Sequence, residues 1–289
     1  GYVVLTSAKG TSGGASNYGC GFLPTVYSSV PFRGQGDPIL YLSNPDGFDD
    51  ETQRASLDTL NRLNHLTLNE IADPETAARI QSYEQAYRLQ SSAPELMDLS
   101  QEPKHVLDLY GIKDTSQSTF ARNCLLARRM AERDVRFIQL FHRGWDHHTG
   151  LPTHLRGQAR DVDQPITALL KDLKQRGMLD STIVQWGGEM GRLPVIQNDA
   201  GPAKIGRDHN TYGFSHWYAG GGFKAGHIHG TTDEWGHHAV DDVVNHYDIH
   251  ATLLHLFGID ASALTYKRNG REQTLLDGQA GQVIDGLLA

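Results

Sequence analysis

The chain has 289 residues, 38% of them hydrophobic and 21% charged, with a formal net charge of −8. Those proportions describe a folded globular protein with room for one large core or two modest ones. They exclude the cationic face of a nucleic-acid binder, and no run approaches the roughly 18 apolar residues of a membrane-spanning helix.

The chain opens on "GYVVLTSAKG", with a strand expected at Tyr2–Thr6 and no signal peptide in front of it. Turn-rich stretches follow, "KGTSGGASNYG" and "FRGQGDP", with a second short strand expected near Pro38–Leu42. From about Asp49 to Arg133 the pattern is helical. "DDETQRASLDTLNRLNHL" starts with acidic residues that suit a helix N-terminus, and "DPETAARIQSYEQAYRLQ" puts Pro74 in a first turn. A third helix is expected over Thr119–Arg133, where Phe120, Cys124, Ala127 and Ala131 share one face.

The rhythm then changes. Val135–Phe141 reads as an apolar strand, and a long helix follows to about Arg176 with Val162, Ile166, Leu169, Leu170 and Leu173 as its buried stripe. Pro165 predicts a kink or a break in that helix, and Gly177 its end. Further strands are expected at Ser181–Trp186 and Phe214–Ala219, and a last helix, "YDIHATLLHLFG", runs to Gly258. Strands separated by helices predict a mainly parallel sheet covered on both faces, with its ligand site beyond the carboxyl ends of the strands. No repeat or low-complexity linker divides the chain, so a single domain over 1–289 is expected, with 49–133 as a helical segment inside it.

Cys20 and Cys124 form neither a disulfide framework nor a thiolate cage, and Cys124 reads as a buried thiol on a helix. Histidine is the unusual residue: 13 of 15 lie between His142 and His255. "FHRGWDHH" ends one strand, "GGEMGR" follows the next, and "IGRDHN" precedes a third. Asp146, His148, Glu189, Asp208 and His209 therefore stand at strand ends, in the carboxylate and imidazole mixture that suits Zn²⁺, Mn²⁺ or Fe; carboxylates alone suit Ca²⁺ or Mg²⁺. Each motif alone has a plain structural explanation, a hydrogen-bonded turn for "WDHH" and an i, i+3 ion pair for Glu189 and Arg192. Three together favour a metal or anion site. Arg143, Arg192 and Arg207 lie within four residues of these candidates, and a guanidinium fork matches phosphate or sulfate oxygens. Some of them instead orient the metal carboxylates.

"STFARNCLLARRMAERDVRFIQLFHRGWDHH", "DLKQRGMLDSTIVQWGGEMGR", "GRDH", "YAGGGFKAG" and "YDIHATLLHLFGID" resemble a sulfatase-like bacterial family catalogued as domain of unknown function 1501, along the whole chain. That family is similar to the alkaline phosphatase and sulfatase superfamily. The resemblance implies a three-layer α/β/α sandwich around a mainly parallel sheet, lacking here its N-terminal portion. It implies one or two divalent ions (Zn, Mn or Ca) and cleavage of a small-molecule or polysaccharide sulfate or phosphate ester, in an exported, periplasmic or cell-surface protein. Asp146, His148 and His209 would hold one ion, with Glu189 and Asp208 completing it or holding a second; Met190 stands where the superfamily has a metal-binding histidine. Arg143 and Arg192 would stabilise charge, and His142 or His147 would protonate the leaving oxygen. Members of the family carry a further segment before the point matching Gly1, which includes the nucleophile region. The chain is thus expected to be the C-terminal part of a longer domain, completed by a separate segment. "CGFLP" does not fit the sulfatase nucleophile signature, and a non-catalytic module binding a metal or a sulfated polysaccharide is the alternative.

Overall fold

The computed structural model describes residues 1–289 except 8–10, 12, 22, 24–26, 34–38, 40–43, 45–46, 73, 198–200, 269, 277 and 280, and the side chains of 74–75, 78, 82, 85–86, 88–92 and 268. The strand expected near Pro38–Leu42 lies outside the described residues. The chain forms two compact units, one of residues 1–144 and 158–169, the other of 145–157 and 170–289.

The first unit is built on a three-stranded parallel sheet. β1 (Tyr2–Thr6) lies in the middle, between β2 (Val30–Phe32) and β3 (Phe137–Phe141). Val3, Val4 and Leu5 are consecutive and all buried, as in a strand covered on both faces. Two long helices precede β3: α1 (Asp50–Ile71), capped by the Asp49 carboxylate on the Thr52 N–H, and α2 (Pro74–Met97), which begins on its proline as expected. α3 (Lys104–Tyr110) is short and enters from Pro103 without a side-chain cap. α4 (Phe120–Ala131) starts where the Thr119 hydroxyl accepts the Arg122 N–H; it packs on β1 and β3, and its Cys124, Leu125 and Met130 are fully buried. Cys124 is thus the inert core thiol its helical position predicts, its pKa pushed far up by burial.

A buried ionic network ties α4 to Glu102. Glu102 accepts from Arg128 Nη2 at 2.7 Å and Arg129 Nη1 at 2.8 Å, while Arg128 Nη1 reaches Glu132 at 2.6 Å. Both guanidinium groups and Glu102 are less than a tenth exposed. Isolated charges so placed would be prohibitively costly, so the network holds only because each is paired.

α5 (Leu151–Gln175) contributes residues to both units. It runs unbroken through Pro165, so the kink or break expected there does not end the helix. One lost N–H is outweighed by the apolar stripe, of which Val162, Leu169 and Leu173 are buried. Gly177, at φ 68°, stops the chain after the helix as predicted.

Among its described residues the second unit carries four small antiparallel pairs rather than more parallel strands. β4 (Val184–Trp186) pairs with β7 (Trp217–Ala219), β5 (Gly191–Arg192) with β6 (His209–Asn210), β8 (Thr231–Thr232) with β9 (Ala239–Asp241), and β10 (Thr265–Arg268) with β11 (Arg271–Thr274). The expected mainly parallel sheet is corrected to this mixture. A parallel pairing needs a crossover, and among the described residues between β4 and β7 there is no helix to make one. The last helix, α6 (His246–Leu256), is held by a capping box in which Asn245 and Asp248 satisfy each other's backbone N–H groups.

Candidate metal centre

The residues that the sequence singles out in the second unit lie on loops and on the short strands β5 and β6, and backbone hydrogen bonds tie several of these segments together. The Arg207 N–H donates to the His147 carbonyl at 3.1 Å, and the Leu151 N–H to that of Ile205 at 3.0 Å, joining the segment after Trp145 to the segment before β6. β5 and β6 are short, but their register sets Arg192 opposite His209, and the pair is extended by the Leu193 N–H on the Asp208 carbonyl and the Gln197 N–H on that of Gly206. Gly206 is buried where the two segments touch, and a Cβ there would overlap the His148 carbonyl and the Thr149 nitrogen. Only glycine fits.

Asp146, His148 and His209 converge. One ligand atom from each lies within 4.8 Å of the others, and among the described residues this is the only group of three or more such side chains that could hold an ion. Oδ1 of Asp146 is the common point, 2.9 Å from His148 Nε2, 3.0 Å from His209 Nε2 and 2.7 Å from Arg192 Nη2. The hydrogen bond from His209, then that from Arg192, hold the Asp146 carboxyl down to about 2, so it is ionised at any physiological pH. On the other side of the His148 ring, Nδ1 lies 2.7 Å from Gln197 Oε1. Such a partner fixes a histidine's tautomer and orientation.

The other expected residues are placed as follows. Asp208 stands beside the group, its Oδ1 accepting the His209 N–H at 2.8 Å and lying 3.8 Å from His148 Nδ1. Glu189 is exposed on the loop after β4 and is not among the three. The Gly187–Gly188 turn before it has a packing cause: a Cβ on Gly187 would overlap the His216 ring, whose Nε2 lies 2.7 Å from the Gly188 carbonyl. His147 is buried, 5.6 Å from the His154 ring. His142 and Arg143 belong to the first unit, where His142 lies edge-on to Phe120 at 5.0 Å and 3.8 Å from Asp161. Burial holds its imidazole below the ordinary value, with Asp161 pulling the other way. Gln197 was not foreseen; an amide in a turn-rich stretch carries no sign of metal chemistry.

Two imidazoles and an ionised carboxylate brought together in a mixed α/β protein define a candidate metal-binding protein, and no finer class follows from geometry alone. By sequence the chain belongs to the family described as "Protein of unknown function (DUF1501)", whose model matches residues 1–288. No curated protein and no solved structure is similar enough to match. Among the described residues, no helix is long and apolar enough to cross a membrane.

Proposed function

We propose that the protein is a metal-dependent hydrolase of sulfate or phosphate esters, akin to the alkaline phosphatase and sulfatase superfamily, with one divalent ion held by Asp146, His148 and His209. The observation that carries this reading is the convergence of those three side chains within 4.8 Å, with a guanidinium at their common oxygen. Two nitrogen donors and one oxygen suit Zn²⁺ or Mn²⁺ better than Ca²⁺, which prefers six to eight oxygens. The ion would supply Lewis acidity, polarising an ester oxygen. The chain's own residues do the rest. Gln197 keeps the His148 ring aimed, the ionised Asp146 carboxylate gives the centre its negative charge, and Arg192 supplies a planar fork for an anionic group. A three-layer sandwich and an exported location go with this reading.

The alternative is a non-catalytic module that holds a metal or a sulfated polysaccharide. It is favoured by Met190, which stands where the superfamily has a metal-binding histidine, and by the burial of the Cys124 thiol, which removes it as a nucleophile.

The deciding experiment is metal content of the purified protein beside Asp146→Ala and His209→Ala, followed by a screen of aryl sulfate and phosphate esters. Stoichiometric metal lost in both variants, with turnover of one ester class, is the expected result. Metal without turnover, tested on the longest natural chain, supports the binding module. No metal in any of the three would sink the hydrolase and the metal-holding module, and leave polysaccharide binding as the reading to test.

A further inference from the structure

We propose that Arg192 is a cation-released latch: it sits on Asp146 until a metal ion takes that carboxylate, and is then handed to the anionic group of the ligand, so that metal and anion bind in order. This rests on the metal reading above and adds a coupling between the two ligands.

The argument starts from one oxygen. Oδ1 of Asp146 is shared by His148 Nε2, His209 Nε2 and Arg192 Nη2, the last at 2.7 Å. A guanidinium there neutralises the charge that a divalent ion would use, and it repels the ion directly. Arg192 therefore competes with the metal. Its other ties are weak: Nη1 to the Arg207 carbonyl and Nη2 to the Trp145 carbonyl, both at 3.4 Å, near the limit of a hydrogen bond. Among the described residues, nothing comparable to the Asp146 ion pair anchors the head group once the carboxylate's charge is engaged elsewhere. The backbone of Arg192 stays fixed opposite His209 in the β5–β6 ladder, so the released fork remains beside the ion instead of drifting away. Five N–H donors on a permanent cation, next to a second cation, make a site for a tetrahedral dianion that is complete only when metal is bound. By linkage, an anion that binds better with metal must also tighten the metal.

The test uses calorimetry with Mn²⁺ and sulfate as probes, on the whole chain as it exists, its Arg192→Gln form and its Arg192→Lys form, with thermal melting as the control for folding. Removing the competitor should tighten Mn²⁺ roughly tenfold in R192Q, whereas a residue that merely props the site would weaken it when lost. Sulfate should bind the unaltered protein at least roughly tenfold more tightly with saturating Mn²⁺ than without, and that gain should shrink in both variants. Equal or weaker Mn²⁺ binding by a folded R192Q, or sulfate binding indifferent to Mn²⁺, overturns the latch and leaves the metal site standing. If R192Q does not fold, R192K decides through the sulfate gain, which must fall. Mn²⁺ binding by none of the three forms removes the metal reading and the latch together.

Discussion

Gln197 Oε1 lies 2.7 Å from Nδ1 of His148, while the other nitrogen of the same ring lies 2.9 Å from Asp146. The imidazole is therefore clamped at both ends, which a ring with one partner is not. Gln197 is in turn held by its own N–H on the Gly206 carbonyl. Replacing Gln197 by Leu keeps the bulk and removes the clamp. Metal affinity should fall roughly 10- to 100-fold with the melting temperature nearly unchanged. Calorimetry on the two proteins checks this, and an unaltered affinity would show the amide to be incidental.

Gly206→Ala should be far more damaging than an exposed-loop glycine substitution. The added methyl would have to displace the backbone of His148 and Thr149, which cannot yield as a side-chain tip can. About 1–3 kcal/mol of stability should be lost, together with the metal. Urea unfolding and metal content read both; loss of stability with full metal content would show that the loop can move aside.

In the first unit, Glu102 is shared by Arg128 and Arg129, and all three are nearly sealed from solvent. Glu102→Ala takes away the carboxylate that both buried guanidinium groups share, leaving Arg128 its ion pair with Glu132. A cost of about 3–5 kcal/mol is expected, enough to unfold a marginal protein. Replacing all three residues by apolar ones of similar volume should restore much of it. Chemical denaturation of the single and triple variants makes the comparison.

His142 gives the pH dependence a sign. Burial depresses its pKa, so the unfolded chain binds the proton more readily than the folded one. Its contribution to stability is therefore fully present above the ordinary histidine value of 6.5 and is lost as pH falls from there through the folded pKa. Denaturation midpoints across roughly pH 5–8 should decline on the acid side, and less steeply in His142→Gln. Parallel curves for the two proteins would refute the assignment.

Much of this was legible in the sequence where a local rule acts alone. Asp49, Pro74, Gly177 and Gly258 mark helix ends because capping and turn chemistry depend on a few adjacent residues. β1 was legible as a buried apolar run. α3 was not, since seven residues behind an uncapped Pro103 give no periodicity to read. Strand direction was misjudged for β4 and β7, because pairing across a long loop is a tertiary outcome that the strand residues do not encode. In the site, Asp146, His148 and His209 were legible by residue type. Whether Glu189 joins them depends on the path of a Gly-Gly turn packed under His216, which no local pattern specifies.

Asp146 and His209 are 63 positions apart along the chain, yet their side chains share a contact of 3.0 Å. An ion seated between them would close that long stretch into a ring, as a disulfide does, but as a clip that a chelator can undo. Chain closures of this length cost the unfolded state little more than shorter ones, while the folded state gains by mass action with every rise in free metal. The second unit's resistance to heat and proteases would then be set by the ionic contents of its surroundings as much as by its own core.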